Sequence, residues 1–313
     1  MDKMNNSSHE DLSGDGPLSG SDGSYRSGYV SITGRPNVGK STLMNSMLGQ
    51  KISIVTSKPQ TTRNRILGIK NLPGAQIIFL DTPGIHKAKH GLGDFMNQAA
   101  MQAVKDVDVV LFMVEPVLPS KQDSLVIRSL KGLHKPVVLL INKSDTVKKA
   151  SLLPVMAAYS ELFDFESIFP VSALKAEGLD EVLQRLTGLL PEGPKFYPDD
   201  MITDNLERFL VAEMVREKVM LLTDEEVPHA AAVEVMEWQE REDRIYIRAD
   251  IIVEKPGQKG IIIGKKGERL KQIGSTARAD IESLLGIGVY LELFVKVKDQ
   301  WRRRRSVLSD LGF

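Results

Sequence analysis

Eight consecutive residues, Gly34-Arg35-Pro36-Asn37-Val38-Gly39-Lys40-Ser41, match the spacing G-x-x-x-x-G-K-[ST]. In that pattern the glycines let backbone N–H groups converge on phosphate oxygens. The lysine reaches the β- and γ-phosphates, and the serine hydroxyl ligates Mg²⁺. Thr42 extends the same cradle, and a helix opening here aims its positive end at the phosphates. Asp81-Thr82-Pro83-Gly84 follows downstream. Asp81 is placed to hold Mg²⁺ through water, and the Gly84 N–H to sense a γ-phosphate. Between the two lies Pro59-Gln60-Thr61-Thr62-Arg63. A threonine hydroxyl there can cap Mg²⁺ when the γ-phosphate is present, and Thr62 is preferred to Thr61. Ser41, Thr62 and Asp81 form the candidate metal set. Lys40, Thr62 and Gly84 are the groups that would act on the γ-phosphate.

A further segment, Asn142-Lys143-Ser144-Asp145, carries chemistry for a base. A carboxylate at Asp145 can accept from N1–H and N2–H₂ of guanine. Adenine offers neither donor, and leaving a buried carboxylate unpaired discriminates by orders of magnitude. Asn142 can tie this loop to the phosphate loop, and the Lys143 stem can cover one face of the base. Later in the chain comes Ser172-Ala173-Leu174, where the Ala173 N–H is expected to meet guanine O6.

The last segment of this kind is Ile261-Ile262-Ile263-Gly264-Lys265-Lys266-Gly267. An apolar run enters Gly-x-x-Gly, two lysines fill the loop, and a helix follows. This matches the KH device that clamps about four nucleotides of single-stranded RNA. Ile263, Gly264, Lys265, Lys266, Gly267 and Lys271 are the candidate RNA contacts. From residue 199 to 250 there are 15 acids and 6 bases, net −9; from 251 to 313 there are 7 acids and 13 bases, net +6. A basic stripe is an electrostatic footprint of nucleic acid. Arg302, Arg303, Arg304 and Arg305, beside Trp301, read equally as a solvated helix end or as part of that surface.

Elements of the right kind precede these loops. Residues 29–33, 75–80, 109–114, 137–141 and 168–171 are short β-branched runs, and helical patterns cover 39–48, 93–105, 121–133, 150–163 and 179–190. Runs 65–70 and 75–80 bracket a turn and read as a hairpin. Strand–helix alternation implies an α/β domain with a mostly parallel sheet, six strands in all, whose loops carry the site. Residues 191–198, with three prolines, break the chain. Beyond them the order is helix (205–222), strands (230–238 and 244–253), helix, Gly loop, helix (268–285) and strand (289–298). The division expected is a tail over 1–27, a nucleotide domain over 28–190, a linker over 191–200 and an α+β RNA-binding domain over 201–313. The tail holds five acids and two bases with almost no large apolar residues, which predicts disorder. It has neither the apolar stretch of a secretory signal nor the arginines of a transit peptide. The chain has no cysteine, which excludes disulfides and thiolate chemistry. Its apolar runs fall far short of the roughly 20 residues that span a bilayer.

The five nucleotide segments in this order resemble the translation-factor-type GTPase superfamily. Gly-Arg-Pro-Asn-Val-Gly-Lys-Ser with Gln-Thr-Thr-Arg and Asp-Thr-Pro-Gly is similar to its Era branch, and the order around Gly264-x-x-Gly267 resembles a type II KH domain. Leu-Phe-Val-Lys-Val-Lys-Asp-Gln-Trp, residues 293–301, is similar to the C-terminal wording of that branch. The resemblance spans residues 28–313. It implies a GTPase, binding GTP, GDP and Mg²⁺, that binds the single-stranded 3′ end of small-subunit rRNA and assists assembly of the small ribosomal subunit. It also implies a monomer in the cytoplasm, with loose association at the inner membrane face. Many GTPases orient the attacking water with a Gln soon after Asp-x-x-Gly. Here Ile85 and His86 follow Gly84, and Ile85 cannot hydrogen-bond water. Family members with an Asn at the position of Asn37 can hold K⁺ beside the phosphates, which makes Asn37 a further candidate catalytic residue. His86 and His90, among Lys87 and Lys89, read as a mobile solvated loop more readily than as a metal pair. Two other readings stand beside this one: an RNA-binding module whose nucleotide domain does not hydrolyse GTP, and a peripheral membrane switch whose KH surface meets lipid headgroups. Intact Lys40, Ser41, Thr62 and Asp81 favour hydrolysis; the lack of a lipidation motif or an amphipathic helix disfavours the membrane.

Overall fold

The computed structural model describes residues 24–84 and 91–311. The tail before residue 24, and Ile85, His86, Lys87, Lys89 and His90 with the roles read for them, lie outside those residues. The first sheet contains β1 (Arg26–Gly34), β2 (Ile66–Leu72), β3 (Ala75–Asp81), β4 (Val109–Val114), β5 (Val137–Ile141) and β6 (Ser167–Pro170). Among the described residues its order is β2-β3-β1-β4-β5-β6. Only the β2–β3 hairpin is antiparallel. Every residue of β3, β4 and β5 is buried, as a sheet covered on both faces requires. On one face α1 (Lys40–Leu48) and α5 (Leu179–Leu189) pack Leu43, Met47, Val182 and Leu186 against it. On the other lie α2 (Gly91–Lys105), α3 (Lys121–Leu130) and α4 (Leu152–Ser160), with Val104, Val126, Val155 and Tyr159 buried.

Strand β1 starts inside the expected tail. Arg26 pairs in register with Ala75 and its Nη1 donates to Leu190 O at 2.7 Å. Ser27 is buried and donates to Pro194 O. These partners are remote in sequence, so local composition could not signal them. The expected linker is similarly bound. The Phe196 and Tyr197 N–H groups donate to the buried Gln76 side chain at 2.9 and 3.0 Å. Ile69 N–H donates to Ile202 O at 2.7 Å, and Thr203 Oγ1 donates to Leu67 O at 2.6 Å. The linker, together with the first residues expected of the second domain, thereby covers the free edge of β2, where ladder groups would otherwise lack partners.

The second sheet has the order β7-β8-β9, from β7 (Ala232–Glu240), β8 (Arg244–Val253) and β9 (Gly288–Val297). β8 and β9 run parallel. Helices α6 (Glu207–Leu222), α8 (Pro256–Ile263) and α9 (Glu268–Leu285) bury Val215, Ile262, Ile273 and Ile281 against it. A short helix, α7 (Val227–Ala230), takes the start expected for β7, with Pro228 in its first turn, where the missing N–H costs nothing. Helix α10 (Arg305–Asp310) closes the described chain. Trp301 belongs to neither reading offered for its neighbourhood. It is fully buried in a small core with Leu92, Met96, Ala232 and Ile252, and its Nε1 donates to Ala230 O at 2.8 Å. Arg302 follows it inward and pairs with Glu254 at 2.5 Å, whereas Arg303 and Arg304 are exposed.

Candidate functional site

The loop from Gly34 to Ser41 joins the carboxyl end of β1 to α1, and it lines a cavity of about 340 Å³ together with residues 54–57, 60–62, Gly84 and Lys143. Gly39 takes φ 105°, and a Cβ there would lie 2.3 Å from Asn142 Nδ2, so the turn admits only glycine. Lys40 is buried, and its Nζ donates to Gly34 O and Arg35 O at 3.2 and 2.9 Å. Burial lowers its pKa to about 8, a drop that the Asp81 carboxylate only partly offsets. An ammonium so short of solvent and counter-charge is poised for phosphate. Val38 faces the core, and Arg35 turns to Asp123 and Glu115 at 2.7 and 3.4 Å. Pro36 and Thr42 line the cavity, whereas Gly34 closes β1.

Ser41, Thr62 and Asp81 come together. Ser41 Oγ donates to Asp81 Oδ2 at 2.7 Å and lies 2.9 Å from Thr62 Oγ1; Thr62 donates to the same carboxylate at 3.3 Å. Thr61 instead bonds Thr56 Oγ1 and Lys58 O at 2.8 and 2.7 Å. Asp81 is fully buried, its Oδ1 has no hydrogen-bond partner, and burial raises its pKa against the pull of Ser41 and Lys40. A buried carboxylate with one orphaned oxygen, its other oxygen shared by the Ser41 and Thr62 hydroxyls, suits a hard divalent cation. Mg²⁺ bound there would neutralise charge on β- and γ-phosphate oxygens. Thr82 Oγ1 donates to Ile32 O at 2.8 Å, which fixes the Asp81 loop to β1. Pro83 is buried behind it. A Cβ on Gly84 would come within 2.7 Å of Pro36 N, so glycine is what lets this backbone approach the phosphate loop.

Asn142 spans three loops. Its Nδ2 donates to Val38 O, and its Oδ1 accepts from Ala173 N–H, both at 2.8 Å. The second bond holds the Ala173 N–H, the group expected at guanine O6, beside the base loop. Lys143 Nζ reaches Asn37 O at 2.9 Å and pairs with Glu115, which lays its stem along the cavity mouth. Asp145 lines a neighbouring hollow with Ser144 and Lys175, and Lys175 Nζ is 4.0 Å from its carboxylate. Ser172 is buried and accepts from Lys175 N–H at 3.2 Å, whereas the Leu174 side chain is exposed.

In the second domain, α8 ends at Ile263, and the loop turns through Gly264, Lys266 and Gly267 with φ of 72°, 51° and 81°. Lys265, Lys266 and Lys271 are exposed. A groove of about 520 Å³ runs from Gly267 along α9 to Leu291 and Leu293 of β9.

Sequence reasoning missed Ser53, whose hydroxyl donates to Asp81 at 2.7 Å, and Ser46, which donates to Ala173 O at 2.5 Å. It also missed Glu115 and Asp123, which anchor Arg35 and Lys143. Isolated serines and acids carry no spacing signal. Only Asp123 has one, since Ser120 and Asp123 form a capping box at α3.

Comparison with known proteins agrees with this arrangement. Residues 29–143 match the family described as 50S ribosome-binding GTPase, and residues 226–302 match the KH domain family. The chain is therefore a P-loop GTPase with a KH domain downstream. It is 53% identical over 291 residues to GTPase Era of Geotalea daltonii, covering 92% of this chain and 98% of that one. To GTPase Era of Geobacter metallireducens it is 51% identical, covering 94% and 99%. A crystal structure of Era with MgGDPNP and nucleotides 1506–1542 of 16S ribosomal RNA superposes with a TM-score of 0.90 at 45% identity, covering 92% of this chain and 99% of that one. An Aquifex aeolicus Era variant bound to GDP and AlF₄⁻ gives 0.89 at the same identity and coverage. The chain belongs to the Era family of GTPases.

Proposed function

We propose that this GTPase binds GTP with Mg²⁺, grips the single-stranded 3′ end of small-subunit rRNA, and acts as a switch in assembly of the small ribosomal subunit. The carrying observation is that the exposed Lys265–Lys266 loop and its open groove share one chain with the Ser41, Thr62 and Asp81 cluster. An Era of known structure holds both MgGDPNP and that stretch of 16S rRNA. The roles of Lys40, Gly84 and Asp145 at the γ-phosphate and base belong to the same proposal, as does a monomeric cytoplasmic protein divided near residues 191–200. No described helix is long and apolar enough to cross a membrane; weak peripheral contact at the inner membrane face belongs to the same proposal.

Fluorescence anisotropy with a 3′-end oligonucleotide across a salt series tests the RNA reading. Replacing Lys265 and Lys266 by Asp sets like charge against phosphate and should abolish binding, while GTP hydrolysis without RNA persists. Wild-type binding should weaken steeply with salt. Unchanged affinity in the double variant refutes the clamp.

Potassium is the finer part of the proposal. Asn37 takes a left-handed turn, φ 67°, and its Nδ2 donates to Ser57 O at 2.9 Å. That arrangement leaves its side-chain oxygen as an acceptor at the cavity mouth. Hydrolysis should run faster in KCl than in NaCl at equal ionic strength, and Asn37→Ala should erase the difference. Equal rates in both salts refute it.

A further inference from the structure

The loop that carries Thr62 is held from two sides. On the nucleotide side Thr62 faces Ser41 and Asp81, at 2.9 and 3.3 Å. On the other side the partners all come from the KH domain. Glu217 Oε1 accepts from Val55 N–H at 2.9 Å. Arg216 Nη2 donates to Thr61 O, the carbonyl immediately before Thr62. Next to Thr62, Arg63 is buried, donates to Ala231 O at 2.7 Å and lies over the Trp301 ring at 5.7 Å. An extended chain sends successive side chains to opposite sides, so Thr62 and Arg63 face different domains.

We propose that Arg216 and Glu217 of α6 are positioning residues for GTP hydrolysis. They pin the backbone at both ends of residues 55–61, so that Thr62 stays against Ser41 and Asp81. Both side chains are themselves immobilised. Arg216 is 1% exposed and bidentate to Glu213 at 2.7 and 2.5 Å. Glu217 is 2% exposed and is shared by Lys51 of the nucleotide domain and Lys218, at 2.6 and 2.8 Å. A charged, buried, fully paired anchor is rigid, and its bonds end on main-chain atoms, which fixes the path of the loop rather than one rotamer. The catalytic geometry of the first domain is then completed by the second. A 1 Å displacement at such a site is worth roughly 100-fold in rate. The inference requires GTP hydrolysis but not the RNA reading, and it is tested without RNA.

The experiment compares the full-length protein with Arg216→Ala, Glu217→Ala and Glu217→Gln. Single-turnover hydrolysis is followed at saturating GTP across a Mg²⁺ series, with GDP affinity and thermal melting recorded in parallel. The alanine variants should lose roughly 10- to 100-fold in rate and need more Mg²⁺, with GDP affinity within about threefold of wild type. Glu217→Gln keeps an oxygen for the Val55 N–H and should restore most of the rate, a rescue that mere loss of packing would not show. Lys58 donates to Thr223 O and pairs with Asp224 at 3.0 Å at the domain surface. If the alanine variants do not melt cooperatively, Lys58→Ala with Glu217→Gln decides: Lys58→Ala should show the same raised Mg²⁺ requirement with a smaller loss. Folded variants whose rate and Mg²⁺ dependence match wild type, or whose GDP affinity falls as far as their rate, overturn the proposal.

Discussion

Replacing Asn142 by Ala tests how far one side chain assembles the nucleotide site. Asn142 is 2% exposed, and its two bonds, to Val38 O and Ala173 N–H, are both 2.8 Å and buried. Truncation strands one carbonyl and one N–H. Each unsatisfied buried group costs about 1–3 kcal/mol, and partial entry of water brings the pair to about 3 kcal/mol. If the loops hold their places, the loss appears as stability, at about 2–4 °C of melting temperature per kcal/mol. If they separate, the phosphate loop and the base loop no longer meet the nucleotide together, and 3 kcal/mol becomes roughly 150-fold in affinity. Fluorescent-GDP titration with thermal melts of free and nucleotide-bound protein divides the two. Asn142→Asp keeps an acceptor for Ala173 N–H but sets a carboxylate against Val38 O, so it should be no better than Ala. An alanine variant within about threefold in affinity and unchanged in melting would refute the bridging role.

Asp145→Asn should move preference from guanine toward xanthine nucleotides, because the amide donates where the carboxylate accepted; competition binding measures this, and wild-type ATP binding as tight as GTP refutes the base loop. Nucleotide binding should also weaken at alkaline pH. The free Lys40 has a pKa of about 8, and bound phosphates favour its charged form and raise that pKa. Binding therefore takes up a proton, and affinity should fall about tenfold from pH 7 to pH 9, or ~1.4 kcal/mol. A flat profile over that range contradicts the buried ammonium.

Much of this molecule was legible from one chain. The strands over 109–114 and 137–141 were readable because burial on both faces demands unbroken apolar runs. The motif loops were readable because phosphate contact forces glycines and a lysine into one spacing. Elements that depend on distant partners were not. Arg26 and Ser27 extend β1 because Ala75 and Pro194 lie beside them. The engagement of Ala173 N–H by Asn142 joins loops that only the sheet brings together.

Trp301 shows the same limit from the other end. It stands beside four arginines that read as a solvated helix end or an RNA surface, yet it is enclosed by α2 and the second sheet, with the Arg63 guanidinium over its ring. The sequence by itself determined which residue types stand at the spacings that phosphate, magnesium, a base and RNA would require, and in what order. Those assignments follow from residue type and local spacing, which survive without a fold. The tertiary structure brings Thr62, the threonine already preferred from the sequence, to Asp81, and it alone decided that α6 closes on the loop that carries Thr62. Both depend on how two separately packed sheets dock, and the hydrogen bonds that set that docking join residues more than 150 positions apart.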